Sequence, residues 1–271
     1  MKTLIEYLNK YENTAQSELM RFATDADVEA LHQLRVSLKK IKAIYRCLQE
    51  VGLHKKAQKQ YKKFLKPFFA DAGVLRQLQL HNLYLHYHYY NNLIQSSKSI
   101  KQLPGLIIMF QQQAKVLSKE LSRTVKYLLH YSADVKQEQV FEFAVLLKES
   151  MYAKAPQISS DGWHEFRKQI KQLIYTYQWL DKKHQLRLLP VSQLQKLDVL
   201  QEVIGKWHDA QDMRQWLIHE EFFLHSDPLV KQEFSKAWKL TEKQLGTAEK
   251  KLQALLSQIT TEKRATLNKN N

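Results

Sequence analysis

An internal repeat at a fixed distance constrains this chain more than any other feature of its sequence. The segment LHQLRVSLKKIKAIYRCL (31–48) matches WHEFRKQIKQLIYTYQWL (163–180) at an offset of 132 residues. The same offset relates Gly73 to Gly205. A gapless repeat of this kind predicts two copies of one structural unit, since each copy then forms the same elements in the same order.

The repeat and the scarcity of turn-forming residues together predict an all-α fold. The 271 residues include only 6 glycines and 5 prolines, whereas a chain with many strands needs many tight turns. We assign the first helical unit to 1–132, the second to 133–264 and a polar tail to 265–271. No run of about 18 apolar residues predicts a membrane span.

Local signals place several helix boundaries. Asp25 or Asp27 can start the helix that carries the first copy of the repeated segment, because a short polar side chain there accepts the first backbone N–H groups. The next helices are predicted at about 54–70 and 74–91. Pro104 is expected in the first turn of a later helix, where its missing N–H costs nothing.

Each copy carries an apolar seam and a cationic stripe on one helix. The apolar seam, with steps of three and four residues, is typical of a packed helix; it consists of Leu31, Leu34, Leu38, Ile41, Tyr45 and Leu48, and again of Trp163, Phe166, Ile170, Leu173, Tyr177 and Leu180. The cationic stripe follows one position later, as His32, Arg35, Lys39, Lys42 and Arg46, and again as His164, Arg167 and Lys171. Neighbouring residues lie about 100° apart around a helix, so the stripe is expected to be partly sheltered beside the seam.

The cationic stripe of the first copy has almost no acids near it in sequence. From Arg35 to Lys66 there are eleven lysines and arginines and one acid, Glu50. Like charges three or four residues apart on a helix repel each other, so such a row is favourable when a multivalent anion neutralises it. The net charge of +15 also favours capture of a polyanion.

The two copies differ in charge. Residues 1–132 hold 21 basic and 9 acidic residues, a balance of +12, and the remainder holds 21 and 18, a balance of +3. A second basic row on the next helix of the first copy consists of Lys55, Lys59, Lys62 and Lys66, with Lys63 beside it. Its counterpart is weak, because Lys196 remains but Asp198 stands where Lys66 maps.

The paired motifs resemble the CHAD family, the conserved histidine alpha-helical domain. That family has a helix reading His-x-x-Arg with basic residues one or two turns later, given twice. Each motif is followed by a glycine-containing segment that ends in Arg-Asp or Asn-Asp. The corresponding segments here are GVLRQ (73–77) and GKWHD (205–209).

This chain departs from the family pattern at four positions. Gln77 stands where the first Asp is expected, and His208 replaces Arg or Asn in the second segment. Gln172 and Ile174 replace basic residues in the second stripe.

The resemblance implies two tandem four-helix bundles related by a pseudo-two-fold, with a basic pore or cleft between them. It also implies non-catalytic binding of inorganic polyphosphate, and we expect no cofactor and no metal. The residues predicted to bind polyphosphate are His32, Arg35, Lys39, Lys40, Lys42, Arg46, Lys59, Lys62, Lys63, Lys66, Arg76, His164, Arg167, Lys168, Lys171 and His208. Asp209 is expected to support them by orienting a nearby basic residue.

Two other functions remain open from the sequence. A metal-dependent phosphohydrolase would use His208, Asp209 and Asp212, but the first-copy counterparts of His208 and Asp209 are Arg76 and Gln77. A single-stranded nucleic-acid binder would need aromatic side chains beside the cations. The segment LHNLYLHYHYY (80–90) offers such residues, although we interpret it as a half-buried helix.

The remaining signals concern the compartment. The single cysteine, Cys47, cannot form an internal disulfide, which favours a reducing environment; it is expected in the core. The start of the chain, MKTLIEYLNK, does not have the pattern of a secretory signal. We therefore expect a cytoplasmic protein, associated with polyphosphate granules if polyphosphate is its ligand.

Overall fold

The fold is all-α, as the composition predicts. The computed structural model describes residues 2–52 and 55–267, and all regular elements in these ranges are helical. The α-helices are α1 (Lys2–Asp25), α2 (Val28–Glu50), α3 (Lys55–Gln60), α4 (Lys66–Tyr87), α5 (Asn91–Ser96), α6 (Lys98–Tyr131), α7 (Gln137–Lys154), α8 (Ser160–Trp179), α9 (Lys182–Leu188), α10 (Val191–His219) and α11 (Pro228–Leu267). Of the predicted polar tail, residues 268–271 lie outside the described part of the chain.

The chain divides into two compact units. The first unit comprises Met1–Val140 with Trp179–Asp181, and the second comprises Phe141–Gln178 with Lys182–Asn271. In the first unit, α1 and α4 each pack against both α2 and α6, so four helices surround one core. In the second unit, α10 packs along α11. The predicted pseudo-two-fold and the predicted pore stay predictions.

The apolar seam of α2 lies in the core, because its spacing keeps every seam residue on one side of the helix. All six seam residues of the first copy are buried, and so are all six of the second copy, of which five lie on α8 and Leu180 directly follows it. Asp27 caps α2 by accepting hydrogen bonds from the backbone N–H groups of Glu29 (2.6 Å) and Ala30 (3.0 Å). Gly52, at φ +102°, lies just beyond the end of the helix.

Two predicted boundaries are wrong. The predicted break near residues 70–74 does not exist, because α3 continues through a π-helical segment, Tyr61–Leu65, directly into α4. Pro104 is the seventh residue of α6 and not part of its first turn. The helix starts earlier because the hydroxyl of Ser97 accepts the backbone N–H of Ile100 at 3.0 Å and caps it.

The 132-residue offset extends to the backbone at the ends of the glycine-containing helices. Helix α4 ends at Tyr87 and α10 ends at His219. Two residues later, Tyr89 and Glu221 both adopt a left-handed conformation, with φ of 58° and 57°, which side chains other than glycine seldom do. The same turn therefore ends both helices.

Within the described residues, no helix combines the length and the apolarity that crossing a membrane requires.

Candidate polyanion-binding site

In the first unit, the cationic stripe of α2 faces α4. Arg35 donates from Nη1 to the backbone oxygen of Phe69 at 3.2 Å. In the other direction, Arg76 of α4 donates from Nη1 to the backbone oxygen of Val28 at 3.2 Å. Because later residues of α4 contact earlier residues of α2, the two helices run antiparallel along the stripe.

The aromatic ring of Phe69 lies between two members of the stripe. Its centroid is 4.9 Å from the guanidinium carbon of Arg35 and 4.7 Å from Nζ of Lys42. Cations at this distance are attracted to the face of an aromatic ring. Phe69 therefore positions two like charges that are two helical turns apart, and the sequence reasoning did not identify it.

Gly73 provides the space for the Arg35 guanidinium. A Cβ atom at Gly73 would lie 2.8 Å from Nη1 of Arg35, which is closer than any normal contact. Burial, followed by the positive charge of Arg76, lowers the pKa of Arg35 to about 10. The guanidinium thus stays charged at neutral pH while it is partly removed from water.

The remainder of the first stripe is graded in exposure. His32, Lys39 and Lys42 are half-buried, as predicted, whereas Arg46 is exposed. Burial raises the pKa of Tyr61, and the positive charge of Arg46 opposes this shift. The end of the stripe therefore lies near the π-helical segment. From His32 to Arg46 the stripe is about 21 Å long at 1.5 Å per residue, which gives room for several phosphates.

Six exposed lysines follow α2 along α3, the π-helical segment and the start of α4. They are Lys55, Lys56, Lys59, Lys62, Lys63 and Lys66. The π-helical segment lies among them, and its first residue, Tyr61, stacks on Tyr45 of α2 with ring centroids 3.7 Å apart. This stacking fixes the start of the segment against α2.

Lys40 lies apart from the other predicted residues. Its ammonium donates to the hydroxyl of Tyr11 in α1 at 2.7 Å and lies 4.2 Å from the centroid of that ring. It follows Lys39 by about 100° around the helix, so it faces α1 while Arg35 and Lys42 face α4. Its second-copy counterpart, Gln172, is buried.

The second unit reproduces the arginine contact. Arg167 of α8 donates from Nε to the backbone oxygen of Gln201 in α10 at 3.0 Å. Gln201 is 132 residues after Phe69. A Cβ atom at Gly205 would lie 2.8 Å from Nη2 of Arg167. In both copies the glycine therefore leaves space for the guanidinium of the arginine.

The helix faces around these glycines differ in charge. In α10 the face is formed by Asp198, Glu202, Gly205 and Asp209, which are spaced by four, three and four residues. In α4 the corresponding residues are Lys66, Ala70, Gly73 and Gln77. We call these the acidic face of α10 and the basic face of α4. The acidic face was not recognised from the sequence, although Asp198 was noted as a loss of charge.

The acidic face acts on the second stripe. Burial is the main cause that lowers the pKa of Lys171 to about 8, and the charge of Arg167 adds to it. Three carboxylates oppose this shift, namely those of Asp198, Asp209 and Glu202. Asp209 likewise raises the pKa of Arg167 against the lowering by burial. Asp209 is therefore near both cations, and its predicted supporting position stays a prediction.

The remaining predicted residues of the second copy have partners of their own. The ring of His164 packs edge-on against the ring of His208 with centroids 4.2 Å apart. Burial, followed by the charge of His208, lowers the pKa of His164 to about 4. Lys168 is exposed and forms an ion pair of 2.6 Å with Glu165 one turn earlier.

Other candidate sites are weakly supported by the geometry. No group of three or more His, Cys, Asp or Glu side chains is placed as a metal site would need within residues 2–52 and 55–267. In the segment 80–90, Tyr87 and Tyr89 are 78% and 82% exposed, so the half-buried interpretation is wrong for these two. His81 and Tyr90 of that segment are buried. Cys47 is fully buried, as expected.

Comparisons with known proteins agree with this architecture. A protein-family model described as the CHAD domain matches residues 6–128. The crystal structure of the CHAD domain from the plant Ricinus communis shares the fold, with a TM-score of 0.69 and 16% identity, over 94% of this chain and 91% of that chain. No curated protein matches the chain.

Proposed function

This chain has the fold of a CHAD domain and its residues 6–128 match that family; from this premise we propose that it binds inorganic polyphosphate without catalysing a reaction. The ligand is held by the cationic stripe of the first unit and by the exposed lysines that follow it. The residues by themselves point to a polyanion, and the resemblance to the CHAD family names polyphosphate. The protein is proposed to act in the cytoplasm.

The observation that carries the proposal is a row of half-buried cations on one face of α2. Arg35, Lys39 and Lys42 are held beside the buried seam of α2. The basic face of α4 opposite them contains no acid and adds Lys66. Like charges spaced by three or four residues on a helix repel each other, and a bound chain of phosphates reduces this repulsion.

The position of the exposed aromatic residues favours a ligand without bases. Binding of single-stranded nucleic acid combines a basic groove with aromatic rings on which bases stack. The exposed Tyr87 is fourteen residues after Gly73 on α4, which is about 21 Å along the helix. Phe69 is next to the stripe, but its ring already contacts Arg35 and Lys42.

A competition titration tests the proposal. We expect long-chain polyphosphate to displace a labelled polyphosphate probe at a lower concentration than poly(dT) or poly(U) of equal charge, at fixed salt. Chelator should leave binding unchanged, and incubation should release no phosphate. The R35A/K39A variant should bind at least tenfold more weakly while its circular dichroism stays helical.

Three results would contradict the proposal. A preference for either nucleic acid at equal charge would make the protein a nucleic-acid binder. Release of phosphate that depends on an added divalent cation and is lost in D209N would make it a phosphohydrolase. Unchanged affinity in R35A/K39A would place the ligand elsewhere.

A further inference from the structure

We propose that the second copy of the repeat does not bind a phosphate chain, because the carboxylates on the acidic face of α10 neutralise the second stripe in place of a bound anion. Polyphosphate is then held by the first unit alone. This inference rests on the proposed function and specifies which of the two stripes performs it.

The contacts of Gln201 connect the acidic face to the second stripe. Its backbone oxygen accepts the hydrogen bond from Arg167, and its side-chain Nε2 donates to Oδ1 of Asp198 at 2.9 Å. Asp198 is thus connected to Arg167 through a single residue, Gln201. Glu202 and Asp209 lie one turn before and one turn after Gly205, on the face that Arg167 contacts.

The charges of the two copies decide what each can bind. In the first copy, Arg35, Lys39, Lys42 and Arg46 with Lys66 of the basic face give a formal charge of +5. In the second copy, Ile174 and Gln178 stand where Lys42 and Arg46 would map, so two cations and three carboxylates give −1. A polyanion is attracted by the first arrangement and repelled by the second.

The titration behaviour of Lys171 supports this inference. All three carboxylates of the acidic face raise its pKa and therefore stabilise its charged form. An incoming phosphate would have to compete with them and would approach three negative charges. In the first copy the matching helix face contains no acid, so no carboxylate of that face competes with the phosphate there.

Transplanting the basic face of α4 into the second copy tests the inference. The D198K/E202A/D209Q variant gives α10 the residues of α4 at the matching positions and changes the charge by +4. We expect its affinity for polyphosphate to rise at least tenfold. The slope of log affinity against log salt should steepen by about 0.7 for each additional phosphate neutralised. Measurement at pH 6.5 keeps Lys171 protonated, since removal of the carboxylates lowers its pKa further.

A matched control separates local from overall charge. The E142K/E149K variant makes the same change of +4 at two exposed residues of α7. Neither residue is among the charges that act on Arg167 or Lys171. We expect its gain in affinity to be well below that of the transplant. The single variant D198K, at an exposed position, repeats the test if the triple variant does not fold.

The converse exchange completes the test. K66D/A70E/Q77D should abolish binding, because it gives the first copy the acidic face. If the wild type binds polyphosphate and the transplant binds it with the same affinity, the inference is overturned while the proposed function stands. An equal gain in affinity in the E142K/E149K control has the same consequence. Binding that requires Mg²⁺ in the wild type but not in the transplant would also overturn it, because the carboxylates would then hold the ligand through the cation. If the wild type binds no polyphosphate, the proposed function fails and this inference with it.

Discussion

At the scale of single residues, the Arg35 guanidinium occupies the space that a side chain at position 73 would need. We expect G73A to keep the protein folded, since alanine stabilises a helix interior by about 0.5–1 kcal/mol relative to glycine. The new methyl group would displace the Arg35 guanidinium from the Phe69 carbonyl, so affinity for polyphosphate should fall severalfold. Isothermal titration and thermal unfolding measure the two effects separately.

Gly105 supplies the control for this substitution. A Cβ atom there meets no other atom within 4 Å, and the residue lies in α6 of the same unit. G105A should therefore change helix stability without changing affinity. An affinity of G73A equal to that of G105A would show that the position of the guanidinium does not matter for binding.

His164 gives a prediction about stability and pH. Burial, followed by the charge of His208, lowers its pKa in the folded protein to about 4 from an ordinary value of 6.5. As pH falls from 6.5 towards 4, the unfolded chain takes up a proton that the folded protein does not, so the folded state loses stability. In H164Q this loss should be smaller, so the free energy of unfolding of the variant should rise relative to that of the wild type as pH falls.

Urea unfolding of both proteins at pH 7.5, 6 and 5 checks this expectation. H219Q is the matched control, because that histidine is exposed at the end of α10. A stability difference between H164Q and the wild type that is the same at all three pH values would contradict the assigned environment of His164.

The spacing of residues predicted burial well and partners poorly. Steps of three and four identified all twelve seam residues, and the adjacent position of the stripe predicted its partial shelter. The partner of Lys40 could not be found in this way, because Tyr11 belongs to another helix and no local pattern relates the two. The ring of Phe69 between Arg35 and Lys42 was missed for the same reason.

At the scale of elements, the start of α2 at its Asp27 cap was predicted correctly, whereas the start of α6 at its Ser97 cap was not. The start of α2 at Asp27 follows from local chemistry. The continuous path from α3 into α4 does not, because glycine at position 73 is locally a helix-weakening residue. It is tolerated there because the Arg35 guanidinium uses the space that a side chain would fill.

The acidic face of α10 shows why an element must be compared with its repeat. Asp198, Glu202 and Asp209 are by themselves ordinary exposed acids on a helix. Their meaning comes from the alignment with Lys66, Ala70 and Gln77 and from the arginine contact that both copies share. The repeat was visible in the sequence, but the contact that places these residues beside the stripe was not.

At the scale of the whole molecule, the resemblance found from the paired motifs is confirmed by the family model over residues 6–128 and by the fold. The positive charge is concentrated in the same part of the chain, with +12 in residues 1–132 and +3 in the remainder. A net charge alone attracts polyanions without forming a site. Its local and its overall contribution to binding must therefore be separated by experiment.

The dependence of binding on salt separates them. If several phosphates are neutralised by the first unit, log affinity should fall linearly with log salt with a slope of several units, because counterions are released from the ligand. Removing three exposed cations near the stripe, in K59Q/K62Q/K63Q, should reduce this slope by up to about 2, at roughly 0.7 for each phosphate that the variant no longer neutralises.

The control removes the same charge from the second unit, in K231Q/K236Q/K250Q on α11, where all three lysines are exposed. Its slope should stay close to that of the wild type, because the phosphates bound at the site, and not the net charge, set the number of counterions released. Equal reductions in the two triple variants would show that the ligand responds to overall charge. The row on α3 and the π-helical segment would then be a solvated surface and not part of a binding site.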